Sequence, residues 1–210
     1  MSQEFVDNPK NLEYSNNLYE TKELILIALL AALGLGTKQV ISVTIKPLIA
    51  FLFIPGGTVV GGFYMLWLTL GRLLVKKPFS ATFVAIVQSL AVMILPHGSH
   101  GVFSLLTYIS PGLIIDIAFY SILLFRRDQI YSIYALSLYN GLANVLGTFL
   151  SALVFRMFEG LPIEIIIAIL LIAYLSGSIG GIVCHFIHQE YQKYLQQEDF
   201  DSEEDLLDDN

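Results

Sequence analysis

Between Pro78 and Phe125 the one side chain charged at neutral pH is Asp116, set in ISPGLIIDIAFYSILL. A carboxylate in hydrocarbon costs about 2.5–3.5 kcal/mol even on insertion scales, so it is kept for a polar partner or for a cargo. No base accompanies it in that stretch. Depth along an apolar helix can be counted at about 1.5 Å per residue. By that count Gln88, Asp116, Asn140 and Ser178 fall in one layer across four apolar runs. Asn144 stands one helical turn above Asn140 on the same face. Such a layer has two possible chemistries. Its members hydrogen-bond one another and fix helix register, at about 0.6 kcal/mol per bond. Alternatively they floor a polar cavity in which Asp116 is counter-ion to a cationic group. Asp116, Asn140, Asn144 and Gln88 are therefore candidate binding residues.

A second set lies nearer the opposite end of these runs: His97, His100, Tyr108, Glu159 and Glu164. His97 and His100 amount to half a metal site at best, because no further ligand stands near them in sequence. The reading adopted is contact with a ligand by His97, His100, Tyr108 and Glu164, with no metal site. Cys184, His185 and His188 read as interfacial residues with apolar bodies and polar tips. No GxxxxGK[ST] loop, HExxH, GxSxG or SxxK occurs, and those are the arrangements that cradle phosphate, bind zinc or activate serine. The chain is expected to catalyse nothing and to need no cofactor.

The elements that must position these side chains are membrane helices. Hydrophobic residues make up 55% of the chain and charged residues 14%, where a soluble domain carries about 25% charged. Mean hydropathy is +0.69. Crossing a hydrocarbon core takes about 20 apolar residues per helix. Runs at about 23–43, 52–72, 79–95, 102–125, 130–155 and 163–187 meet or approach that demand. The expectation is an all-α integral membrane protein of six transmembrane helices. Lys38, Lys46, Pro47 and Pro55-Gly56-Gly57 interrupt the first two runs, so residues 36–51 are expected to form a long, partly re-entrant connection.

Basic residues set the orientation. Lys22, the Arg72/Lys76/Lys77 group and the Arg126/Arg127 pair fall on one side of a six-span layout, which the positive-inside rule makes cytoplasmic. Both termini then face the cytoplasm, while Lys38, Lys46 and Arg156 fall on the outer side. The division is a cytoplasmic segment 1–21, a membrane domain 22–188 and a cytoplasmic tail 189–210. The net charge of −7 belongs to that tail: removing the eight acids between Glu198 and Asp209 leaves +1. Few apolar residues and many like charges predict that it lacks fixed structure. No basic segment precedes the first apolar run, which argues against a cleaved signal peptide.

Small residues at four-residue spacing, Ala28/Ala32, Gly57/Gly61 and Gly177/Gly181, let helix backbones approach closely. Together with ILIALLAALGLG, RLLVKKPFSATFVAIVQSL, GLIIDIAF and SGSIGGIV in that order, they resemble the substrate-binding S components of energy-coupling factor transporters over about residues 22–188. KKPFSA and GLIIDIAF are similar to the YkoE-like group, linked to thiamine or its hydroxymethylpyrimidine precursor.

The resemblance implies capture of a vitamin, with Ala28 and Ala32 forming the docking face for a transmembrane coupling subunit. Two cytoplasmic ATPases would complete the assembly. Membrane lipid surrounds the domain, and no nucleic acid is a partner. The start MSQEF lacks the Met-His of nickel and cobalt members, which argues against a metal cargo. Two alternatives stand beside this reading: an S component for another vitamin such as cobalamin, and a proton-coupled small-solute transporter using Asp116.

Overall fold

Inside hydrocarbon every backbone N–H and C=O needs a partner within its own segment or barrel, so apolar runs of this length become helices. The structure, a computed structural model, describes residues 19–49, 56–94, 103–125 and 131–208. These form α1 (Thr21–Ile49), α2 (Gly56–Val75), α3 (Ser80–Ile94), α4 (Phe103–Phe125), α5 (Ile133–Val154) and α6 (Ile163–Asp208). Among the described residues, five of the six helices, all except α3, are long and apolar enough to cross a membrane. The described part of α3 is a shorter apolar helix of 15 residues. The protein is a multi-pass, all-helical membrane protein.

α2 is the central element and packs against each of the other five. Its most apolar window is 78% buried, against 22–33% in the other four long helices, so those four turn large apolar faces outward while α2 is enclosed. Leu68, Leu73, Ile115, Leu136 and Ile169 are fully buried at the contacts this creates. The α2–α6 crossing is tight because side chains are missing there. A Cβ on Gly180 would lie 2.1 Å from the Gly62 carbonyl oxygen, and one on Gly62 would lie 2.0 Å from that of Ser176. α6 meets α5 in the same way, with Gly177 and Gly181 against the carbonyls of Asn140 and Leu136.

Two expectations about the ends of the domain are corrected. Residues 36–49 are not a re-entrant connection but the continuation of α1. Glycine costs about 1 kcal/mol in a helix interior, but unpaired backbone in hydrocarbon costs more. Pro47 falls in the last turn of α1, where it removes one hydrogen bond to the residue four positions before it. Residues 189–208, expected to lack fixed structure, continue α6 instead. Extending a running helix adds a hydrogen bond per residue without a new nucleus. An ion pair of Lys193 with Glu190, 2.7 Å apart and three residues away, supports the extension.

Candidate functional site

At the end of the bundle formed by the starts of α2 and α4 and the close of α5 lies a cavity of about 240 Å³. Thr58, Gly61, Tyr64 and Met65 come from α2, and Tyr108 and Pro111 from α4. Lys38 reaches in from α1, and Asn144 and Thr148 from α5. Phe155, Met157 and Phe158 complete the wall from the turn after α5. That turn is set by backbone chemistry. Arg156 adopts a left-handed φ of 54°, Met157 N–H donates to the Ala152 carbonyl at 2.9 Å, and Arg156 N–H donates to that of Leu153. This is a Schellman ending, which satisfies the last carbonyls of the helix and reverses the chain.

The polar groups of the cavity are held in place. Tyr64 donates its hydroxyl to the Tyr108 carbonyl at 2.9 Å, and the two rings meet edge to face at 5.3 Å. Lys38 donates to the Tyr108 hydroxyl, with its Nζ 4.0 Å from the centre of that ring and 5.3 Å from that of Tyr64. Ammonium over an aromatic face is attractive by about 0.5–2 kcal/mol depending on exposure. Asn144 donates its amide to the Ala173 carbonyl at 2.7 Å and the Thr58 carbonyl at 3.3 Å, so its carboxamide oxygen faces Gly61. The Thr58 hydroxyl is buried in the wall with no hydrogen-bond partner among the described residues. Among the described lining residues there is one cation, Lys38, and no carboxylate.

Of the residues singled out from sequence, Tyr108 and Asn144 meet in this cavity. Asp116 does not line it. One of its oxygens accepts from both the backbone N–H of Thr82 (2.8 Å) and the Thr82 hydroxyl (2.6 Å), and the other lies 3.5 Å from Arg72 Nε. The expected absence of a partner base is thus corrected: the base is Arg72, at the end of α2, 4% exposed. Thr82 stands in the first turn of α3, where backbone N–H groups lack helical partners, so Asp116 caps α3 from α4. Arg72 also donates to the Lys77 carbonyl, and Lys77 pairs with Glu23 of α1 at 2.6 Å. The KKPFSA segment thereby ties α1, α2, α3 and α4 together.

The rest of the expected polar layer does not form a network. Asn140 accepts from Thr69 and donates to the Leu136 carbonyl, both at 2.8 Å. Gln88 and Ser178 are buried without hydrogen-bond partners among the described residues. None of Gln88, Asp116, Asn140 and Ser178 bonds another. Glu164 is exposed in the first turn of α6 and is not among the cavity-lining residues. Ala28 and Ala32 are exposed on α1. His97 and His100 lie outside the described residues. Cys184, His185 and His188, expected at the interface, differ from expectation as well. Cys184 and His188 are buried, His188 is stacked on Tyr131 at 5.0 Å, and His185 bonds the Tyr131 carbonyl.

Sequence reading missed Lys38, Tyr64 and Thr58 as cavity residues. Lys38 alone carried a signal, as a cation within the apolar run Thr21–Ile45. Tyr64 and Thr58 look like any other polar residue of an apolar helix.

A family model described as "ABC-type cobalt transport system, permease component" matches residues 22–143. No curated protein and no solved structure gives a significant match. The matched segment covers α1 through α4 and half of α5, including about half of the cavity wall and all of the Arg72–Asp116 cluster. With its helical architecture, the match makes the protein a membrane component of an ABC-type or energy-coupling factor transport system, and the chain belongs to the family of cobalt-transport-type permease components.

Proposed function

We propose that the chain is the substrate-capture (S) component of an energy-coupling factor importer and binds a vitamin-sized organic molecule in the cavity between α2, α4 and α5. The observation that carries this reading is the cavity itself, a pocket of aromatic rings and held polar groups within a transport-family membrane protein. The chain has no nucleotide-binding loop and catalyses no reaction in this reading.

The six helices are six spans with both termini cytoplasmic. Lys22, Arg72, Lys76 and Lys77 gather at one end, and the positive-inside rule turns that end to the cytoplasm. The cavity then opens toward the outside. Ala28 and Ala32 lie among exposed Leu24, Ile25 and Leu29, which supports this face of α1 as the docking surface for a transmembrane coupling subunit. Two cytoplasmic ATPases bound to that subunit supply the energy.

For the cargo, the thiamine-type assignment favours the hydroxymethylpyrimidine part or a derivative of it, which carries no thiazolium cation, over thiamine itself. A thiazolium cation would meet Lys38 and no carboxylate in the described wall. Co²⁺ as cargo would find hydroxyls, one amide and an ammonium there, a poor donor set for a first-row metal. Cobalamin is far larger than about 240 Å³. The proton-coupled alternative loses support because Asp116 is paired with Arg72.

Reconstitution tests the reading. The purified chain in liposomes is expected to bind cargo but not accumulate it, and accumulation should require the coupling subunit, the ATPases and ATP. Uptake by the chain alone under an imposed pH gradient would replace this reading with a secondary transporter.

A further inference from the structure

We infer that the cargo is captured as an anion, a ring-sized organic body bearing one carboxylate or phosphate that pairs with the Lys38 ammonium. This rests on the capture reading above and narrows its substrate class. Lys38 lies within the membrane-crossing part of α1, yet its ammonium turns inward to the Tyr108 hydroxyl and the rings of Tyr64 and Tyr108. An interfacial lysine with no further duty extends toward the headgroups instead. The ammonium has three donors and makes one hydrogen bond among the described residues. Among the described residues no carboxylate pairs with it, whereas Arg72 and Lys77, the buried cations at the other end, each have an acid.

The other polar atoms suit the same ligand. The Thr58 hydroxyl, 2% exposed and unpartnered in the same wall, is a second donor. Asn144 has committed its amide hydrogens to two carbonyls and offers only an acceptor, suited to an N–H on the ligand body. Met65, Pro111, Phe155 and Phe158 provide apolar and aromatic surface for a ring. A neutral cargo would leave the half-buried Lys38 ammonium without a counter-ion and the buried Thr58 hydroxyl without a partner among the described residues, and burying polar groups without partners is costly.

Matched pairs differing only in charge test this on the purified full chain in uncharged detergent, read by calorimetry. The pairs are hydroxymethylpyrimidine and its phosphate monoester, nicotinamide and nicotinate, pantothenol and pantothenate, and biotin methyl ester and biotin. The expected result is one pair whose anion binds about 10- to 100-fold more tightly than its neutral twin, the range for a charge-assisted hydrogen bond. That preference should vanish in Lys38→Met and persist in Lys38→Arg. The comparison in the unsubstituted protein needs no variant to fold. Equal or tighter binding of a neutral member, or an anion preference unchanged in Lys38→Met, overturns the anion proposal while leaving capture intact. A blank across all eight on folded protein brings down the capture reading and this inference with it. In nanodiscs, anionic phosphatidylglycerol contacting Lys38 in the absence of any soluble-anion binding would assign the site to lipid and also overturn the proposal.

Discussion

Asp116 of α4 lies 3.5 Å from the guanidinium of Arg72 on α2 while its other oxygen caps the start of α3. The one acid of its long apolar stretch is therefore an internal joint between three helices. Breaking a buried ion pair from one side leaves a charge unmatched, at about 3–5 kcal/mol. Asp116→Asn should lower the thermal midpoint in detergent markedly. Combining it with Arg72→Met should cost less than the sum of the single substitutions. Cargo affinity of the folded Asp116→Asn protein should be unchanged. A fully stable variant that has lost cargo binding would return Asp116 to the binding site.

Gly61 and Gly36 separate a packed glycine from a free one. A Cβ on Gly61 would fall 2.1 Å from Asn144 Oδ1, whereas one on Gly36 meets nothing within 4 Å. Gly61→Ala should displace Asn144 and weaken cargo binding at least tenfold in calorimetry. Gly36→Ala should bind normally and gain up to about 1 kcal/mol from helix propensity, seen as a higher melting temperature. Equal binding by the two variants would show that Asn144 has no part in recognition.

Gln88 is wholly buried, with both amide atoms unpartnered among the described residues. Each unsatisfied buried polar group costs about 1–3 kcal/mol. Gln88→Met, similar in length and apolar, should raise the melting temperature without altering cargo affinity. A fall in both would mean that the amide serves the cargo.

Ala28 and Ala32 are exposed on α1 and line no part of the cavity. Ala28→Leu and Ala32→Leu should leave cargo binding intact and abolish ATP-driven uptake in the reconstituted assembly, by blocking close approach of a partner helix. Loss of binding in calorimetry would instead give these alanines a packing role.

Helix existence was legible in sequence because a bilayer admits few alternatives: apolar runs of this length must pair their backbone internally. The close α5–α6 contact was legible in part, since small residues spaced by four mark a helix face wherever they occur, as Gly177 and Gly181 show. The course of residues 36–49 was not, because glycine, lysine and proline signals describe local preference and hydrocarbon overrides it.

The site divides along the same line. Sequence alone determined that Asp116 is an expensive charge needing a partner, and it brought Tyr108 and Asn144 forward as polar residues at the right depths. Depth says nothing about azimuth, however. Rotation of α4 decided that Asp116 meets Arg72 and Thr82 while Tyr108, on the same helix, meets Lys38. These pairings join residues 34 to 70 positions apart. Only the packing of helices around α2 brings such residues within hydrogen-bond range, where distance and angle decide the interaction.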